Sequence, residues 1–232
     1  MSTLLLRLAA PLQSWGVGAK FDRRGTERVP TKSGVLGLAA AALGIRRGDD
    51  ESLKALCGLR FGARVDREGT LLRDYHTAKS AKAPYVTNRY YLADAVFLAG
   101  LEGNEILLLR IDAALRTPAF PLFLGRRSCP PEGRVSLGIR EGKDLFTALS
   151  GEPRLVENRT GKREESAPRL RIVMDAGAEQ GAYFQRDLPL SLSPVHRKFG
   201  FRHVCETYVS APDPDFAPAL EPPTGHDAMS AL

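Results

Sequence analysis

The stretch Val29–Leu38, VPTKSGVLGL, runs into an alanine-rich segment that ends at Gly44. A Lys-Ser pair opening a glycine-containing helix suggests a phosphate-binding P-loop, and with it a parallel α/β nucleotide-binding fold. That motif needs a glycine directly before the lysine and another five positions further upstream, so that backbone N–H groups wrap a pyrophosphate. Here Pro30 and Thr31 precede Lys32, and the nearest upstream glycine, Gly25, stands one residue out of register. Proline also removes one N–H from any cradle. The nucleotide-binding reading fails, but a helix N-terminus with Lys32, Ser33 and Gly34 still suits an anion.

Working outward, the segments around this helix alternate in a definite order. Thr3–Leu8 reads as a buried strand, followed by the turn-like APLQSWG and a glycine-rich, basic loop from Val17 to Thr31. Ser33 caps a helix through Leu43 that Gly44 closes. A short helix covers Asp50–Leu56. LRFGARVDREGTLLRDYHTA reads as two strands around a turn at Asp66–Gly69. NRYYLADAVFLAGL is one further strand, Asn104 caps a helix over Glu105–Arg116 ended by Pro118, and FPLFLG is the next strand. Strand, helix, strand, strand, helix, strand is the ferredoxin-like βαββαβ order that also underlies the RNA-recognition fold. The expected class is α+β. A ferredoxin-like domain occupies residues 1–150, a small β-rich extension follows over 151–211, and an acidic, proline-rich tail expected to be flexible completes the chain at 212–232.

The chain has 232 residues, 43% hydrophobic, with a formal net charge of +6. Its basic residues crowd toward the N-terminus. Residues 1–48 hold Arg7, Lys20, Arg23, Arg24, Arg28, Lys32, Arg46 and Arg47 against Asp22 and Glu27. Residues 60–91 add Arg60, Arg64, Arg67, Arg73, Lys79, Lys82 and Arg89 against Asp66, Glu68 and Asp74. That asymmetry fits a polyanion-binding face. Cys57, Cys129 and Cys205 are widely spaced and form no Cys-x-x-Cys pair, so neither a zinc site nor a disulfide framework is supported. The start MSTLLLRLAAPLQSW lacks a signal-peptide pattern, and no segment reaches membrane-spanning length. The expected setting is the cytoplasm, with no membrane partner and no cofactor.

Two stretches exceed what the fold requires. RDYHTAKSAKAPYVTNRYY, Arg73–Tyr91, interleaves basic residues with Tyr75, Tyr85, Tyr90 and Tyr91, and reads as a long projecting hairpin (about residues 72–92) with its tip around Lys79–Thr87. Such a mixture suits phosphate pairing and base stacking. LGRRSCPPEGR, Leu124–Arg134, is a rigid loop presenting two arginine forks, for phosphate or base edges or for internal carboxylates.

Taken together, LLLRLAAPLQSWG, PTKSGVLGLAAAALG, RDYHTA with RYYLADAVFL, LFLGRRSCPP and HRKFGFRHVCETYV resemble, in order, the CasD (thumb) subunits of type I-E CRISPR Cascade complexes, in the repeat-associated RNA-binding superfamily. The resemblance implies a non-catalytic subunit that grips the 5′ handle of crRNA and caps the backbone (CasC) filament. It also implies contact with the large (CasA) subunit and a part in RNA-guided recognition of foreign target DNA within the assembled complex. Laid over those motifs, the RNA-binding candidates are Gln13, Ser14, Trp15, Arg23, Arg24, Lys32, Ser33, Gly34, Arg73, His76, Lys79, Lys82, Arg89, Arg126, Arg127 and Ser128. Trp15 suits either stacking on a base or a place in the core. Gly34 and Gly37 suit either close approach of RNA or helix-on-sheet packing. The alternative is a metal-independent endoribonuclease that cleaves repeat RNA with Tyr75, His76 and Lys79. On physics alone, a free-standing RNA-binding protein also fits. No carboxylate cluster has metal-binding spacing, so neither a metal nor catalytic residues are assigned.

Overall fold

The computed structural model describes residues 1–16, 19–20, 23–79, 84–156, 169–177 and 182–210. Strand β1 (Ser2–Ala9) is buried at every position except Arg7, which is why it reads as a continuous apolar run and not an alternation. Three two-residue strands follow: β2 (Leu12–Gln13), β3 (Ala19–Lys20) and β4 (Arg23–Arg24). The expected basic loop therefore carries paired backbone. Helix α1 (Lys32–Ala42) is capped by Thr31, not by Ser33. Thr31 is extended, at φ −88° and ψ 146°, and its side chain accepts the Gly34 N–H. Ser33 already lies inside the first turn. Helix α2 (Asp50–Cys57) is capped by Asp49.

Strands β5 (Arg60–Arg67) and β6 (Thr70–Lys79) flank the expected turn but belong to different sheets. The segment read as one strand from Asn88 to Leu101 is two, β7 (Pro84–Ala93) and β8 (Val96–Gly103). The break falls at Asp94, whose φ of 56° lies in the left-handed region that Asp tolerates better than most side chains. Helix α3 (Glu105–Arg116) has Asn104 as its cap, its side chain accepting the Leu107 N–H. FPLFLG is not a strand. Pro118 and Pro121 remove ladder donors, and the Leu124 backbone is claimed by Cys129 and Ser14. The strand after α3 is instead β9 (Ser136–Arg140), followed by helix α4 (Leu145–Gly151), β10 (Arg169–Asp175), β11 (Tyr183–Ser191) and β12 (Lys198–Ser210).

The protein mixes α and β structure in two sheets, antiparallel except where β4 meets β7. The larger runs β11-β12-β10-β5-β8-β1-β9. Its C-terminal three strands continue the sheet from β5 through pairs such as Val173 with Ala63. The smaller runs β2-β7-β4-β3, with β6 along the other edge of β7. Leu4, Leu6 and Leu8 turn toward α1 and α3, joining Val35, Leu36, Leu108 and Ile111 in the main core. Leu5 turns the other way and packs with Leu98, Leu145, Leu149 and Ile172 beneath α4. Arg64 ties α4 down. It pairs with Asp66 through two nitrogens and donates to the carbonyls of Leu149, Glu152 and Pro153, with both side chains fully buried. No described helix is long and apolar enough to cross a membrane.

Candidate nucleic-acid interface

The anion at the start of α1 comes from the protein itself. The Lys32 N–H donates to Asp187 Oδ2 at 2.8 Å, and the Lys32 ammonium donates to Asp175 Oδ2 at 2.8 Å. Arg202 completes the group, giving Nε and Nη2 to Asp187 at 2.5 and 2.9 Å and Nη1 to Asp175 at 2.6 Å. The Phe61 N–H takes the remaining approach to Asp175. Lys32, Asp187 and Arg202 are 5%, 0% and 7% exposed. Burial alone would depress the Arg202 guanidinium; hydrogen bonds and charge from Asp187 and Asp175 more than reverse that and raise it. Lys32 is thus corrected from a phosphate contact to a link between α1 and the C-terminal strands. Ser33 is half-buried. Gly34 serves packing, because a Cβ there would stand 2.8 Å from the Trp15 ring.

Gln13, Ser14 and Trp15 are also buried, which corrects the reading of Gln13 and Ser14 as base contacts and gives Trp15 its place in the core. The Gln13 amide donates to the carbonyls of Leu8 and Ala95 at 3.2 and 2.7 Å, and its oxygen accepts the Trp15 indole N–H at 3.1 Å. Ser14 Oγ donates to the Tyr90 carbonyl at 3.3 Å. The polar triplet satisfies backbone groups where the chain passes from one sheet to the other.

The exposed cations gather on the second sheet. In the β6–β7 register Arg73 faces Tyr90, Asp74 faces Arg89, Tyr75 faces Asn88 and His76 faces Thr87. Alternation puts Arg73, Tyr75, Asn88 and Tyr90 on one face, and Asp74, His76, Thr87, Arg89 and Tyr91 on the other. Arg23 pairs with Asn88 and Arg24 with Arg89 on the adjoining β4, so each face gains an arginine. On the first face the Arg73 Nε donates to Asn88 Oδ1 at 2.8 Å, and the Arg23 guanidinium lies 5.2 Å from the Tyr90 ring centre. Tyr75 is 64% exposed. On the second face His76 Nδ1 lies 3.1 Å from Asp74 Oδ2.

The Leu124–Ser128 loop closes over this second face. Gly125 has φ +87°, and a Cβ there would fall 1.7 Å from the Ser14 carbonyl oxygen, so only glycine lets the two backbones cross. The crossing brings the Arg126 guanidinium 4.6 Å from the Tyr91 ring centre, with Nη2 donating to the carbonyls of Arg24 and Gly25. Arg127 and Ser128 are exposed. Burial pushes the Tyr91 phenol up, but interactions with Ser128, Arg126 and Arg89 together hold it below the ordinary tyrosine range. Arg89 Nε and Arg126 Nη1 are buried with no hydrogen-bond partner among the described residues. Surface guanidiniums beside tyrosine rings can neutralise phosphate and stack on bases.

The structure therefore brings Arg23, Arg24, Arg73, His76, Arg89, Arg126, Arg127 and Ser128 to one sheet and its covering loop. The backbone of Lys79 belongs to β6, and Lys82 lies outside the described residues. Asn88, absent from the candidates, orients Arg73; its place in a basic, aromatic strand was the available signal. Among the described residues no three His, Cys, Asp or Glu side chains are grouped to hold a metal.

The chain as a whole is similar in sequence and fold to a known group of proteins. The family described as CRISPR-associated protein (Cas_Cas5) matches residues 3–205, and the chain belongs to that family. It is 38% identical over 169 residues to the CRISPR system Cascade subunit CasD of Escherichia coli (strain K12), covering 64% of this chain and 75% of that one. A solved structure titled "Crystal structure of Cas protein" shares 40% identity and a TM-score of 0.71 over 90% of this chain and 95% of its own. A chain of a "CRISPR RNA-guided surveillance complex" shares 32% identity and a TM-score of 0.78 over 90% of this chain and 91% of its own.

Proposed function

We infer that this chain is the CasD subunit of a Cascade-type, CRISPR RNA-guided surveillance complex. The observation that carries the reading is the match to Cas5 proteins over residues 3–205, a span that contains the whole exposed arginine–tyrosine surface. The strand order β5-β8-β1-β9, with α1 and α3 on one face, supports a ferredoxin-like βαββαβ unit within residues 1–150. The β6–β7 hairpin, paired in a sheet of its own, supports the role of a thumb. β10, β11 and β12 support the β-rich extension assigned to residues 151–211, while the tail at 212–232 lies outside the described residues. The ligand is the 5′ handle of crRNA in a type I-E system. Its phosphates and bases meet Arg23, Arg24, Arg73, His76, Arg89, Arg126, Arg127 and Ser128. The protein partners are the backbone (CasC) and large (CasA) subunits, target DNA is engaged within the assembled complex, and the setting is cytoplasmic.

The role is binding without catalysis. Metal-independent RNA cleavage needs a base for the 2′-OH and a cation for the pentacoordinate phosphate at one point. Tyr75 and His76 stand opposite Asn88 and Thr87, on opposite faces of the hairpin, and His76 is already beside Asp74. They do not converge on one phosphate.

The test is handle capture by Arg126→Ala with Arg127→Ala, measured by fluorescence anisotropy with a handle-containing RNA. Loss of the sheltered Arg126 contact costs about 1.5–3 kcal/mol, or roughly ten- to a hundredfold in Kd. Unchanged affinity with an intact circular dichroism spectrum overturns the assignment.

A further inference from the structure

The larger sheet carries a second basic surface that the hairpin does not use. β10, β12 and β11 extend the sheet beyond β5, and helices α1 and α2 pack against β11 at its far edge. On β10, Ile172 packs beneath α4, so Arg169 and Arg171 turn to the other face, about 6.7 Å apart along the strand. Arg171 stands opposite Tyr208 of β12 on one side and Val65 of β5 on the other. A groove of about 360 Å³ opens there, walled by Arg67, Arg154, Arg169, Arg171, Glu68 and Tyr208. A second groove of about 350 Å³ shares Arg171 and runs on past Arg28, Arg186 and Tyr183.

Across the two grooves Arg28, Arg67, Arg169, Arg171 and Arg186 outnumber the carboxylates Glu27, Glu68 and Glu206, while Arg154 donates to the Asp66 carbonyl. Asp66 is spent on Arg64 and on the Leu155 N–H. Glu206 accepts from the Tyr208 hydroxyl at 2.8 Å and lies 3.7 Å from Arg171 Nη1. The Arg171 Nε is buried with no hydrogen-bond partner among the described residues. Arg169 lies 5.6 Å from the centre of the Tyr208 ring, which is half exposed. A row of guanidiniums beside half-exposed tyrosines, along two grooves that share Arg171, matches a single strand of nucleic acid. An acidic peptide has no use for the ring faces.

We propose that the Arg169–Arg171–Tyr208 groove is a second nucleic-acid site, taking the phosphate backbone of a single strand along β10 with a base stacked on Tyr208. None of its residues belongs to the hairpin or to the Leu124–Ser128 loop, so it stands apart from handle binding.

The experiment uses the full chain and a fluorescein-labelled oligouridylate long enough to span both surfaces, with affinity followed against salt. Arg169→Gln with Arg171→Gln removes two phosphate contacts, so the slope of log K against log salt flattens by about 1.4. Arg126→Ala leaves the contribution of this groove in place, which separates failure here from failure of the handle reading. On the unaltered chain, photocrosslinking with a 4-thiouridine-substituted oligouridylate yields adducts on peptides containing Arg169–Arg171 or Tyr208. An unchanged slope in a folded Gln variant, adducts confined to the hairpin and loop, or displacement of the RNA from these peptides by polyglutamate overturns the proposal. If the variant does not fold, the crosslinks on the unaltered chain decide.

Discussion

Two regions of this protein are built from the same chemical parts and end differently. At the base of α1, Lys32 and Arg202 face Asp175 and Asp187, and all four charges are spent inside the protein. At the hairpin, Arg23, Arg73 and Arg126 lie over or beside tyrosine rings and asparagine, with few carboxylates near them. The first region is a clasp between α1 and the C-terminal strands; the second leaves its cations at the surface, where we propose that RNA binds. A cation-rich motif thus reports that an anion is bound, but not whose anion it is.

The largest effect should come from breaking the clasp. Asp187→Ala leaves Arg202 buried beside a single remaining carboxylate and strands the Lys32 N–H, a loss of about 3–5 kcal/mol. In a chain of this length that lowers the thermal midpoint by roughly 6–20 °C, with little change in RNA affinity below the transition. A loss of RNA affinity without a loss of stability would reverse the comparison.

The hairpin should behave in the opposite way. With about five phosphate contacts, handle binding should show a salt slope near −3.5, and Arg23→Gln with Arg73→Gln should flatten it by about 1.4 while the thermal midpoint stays close to the parent value. An unchanged slope would place both arginines off the RNA path.

Trp15 separates packing from stacking more finely. Trp15→Phe removes the indole hydrogen bond to Gln13 and leaves a buried acceptor unpaired, about 1–3 kcal/mol of stability. RNA affinity should not move, because the ring is 1% exposed. A weakened complex at full stability would restore the stacking role.

The smallest effect is a titration. Because Tyr91 is held below the ordinary tyrosine range, its phenolate should form ahead of the other tyrosines in an alkaline ultraviolet titration, and Tyr91→Phe should remove that early phase. The depressed value favours the folded state only as pH rises through it, so stability near neutrality should not respond. Handle RNA placed against Arg89 and Arg126 should move the early phase to higher pH.

Much of the local structure was legible before folding was considered. Asn104 caps α3 and the helix ends before Pro118, because capping and proline chemistry act within a few residues. The apolar run of β1 announced a strand buried on both faces. Where the reading failed, a distant partner had intervened once and local backbone geometry twice. FPLFLG looks like a strand, yet Cys129 and Ser14 hold the Leu124 backbone. Ser33 looks like a cap, yet the chain enters the helix extended at Thr31. The stretch from Asn88 to Leu101 looks like one strand, yet Asp94 turns it from one sheet into the other.

The same division holds for the site. By itself the sequence determined that the chain is N-terminally basic, with a tyrosine- and arginine-rich hairpin and a paired-arginine loop, the parts of the proposed polyanion surface, since composition and short-range alternation settle which side chains share a strand face. Only the tertiary structure decided which cations remain free for it. Asp175 and Asp187 lie 143 and 155 positions from Lys32, and Arg202 joins them only because β12 pairs with β10 and β11. No local pattern encodes that meeting. Burial makes leaving those charges unpaired costly, so the fold neutralises Lys32 from within, while the hairpin arginines stay at the surface without such carboxylate partners.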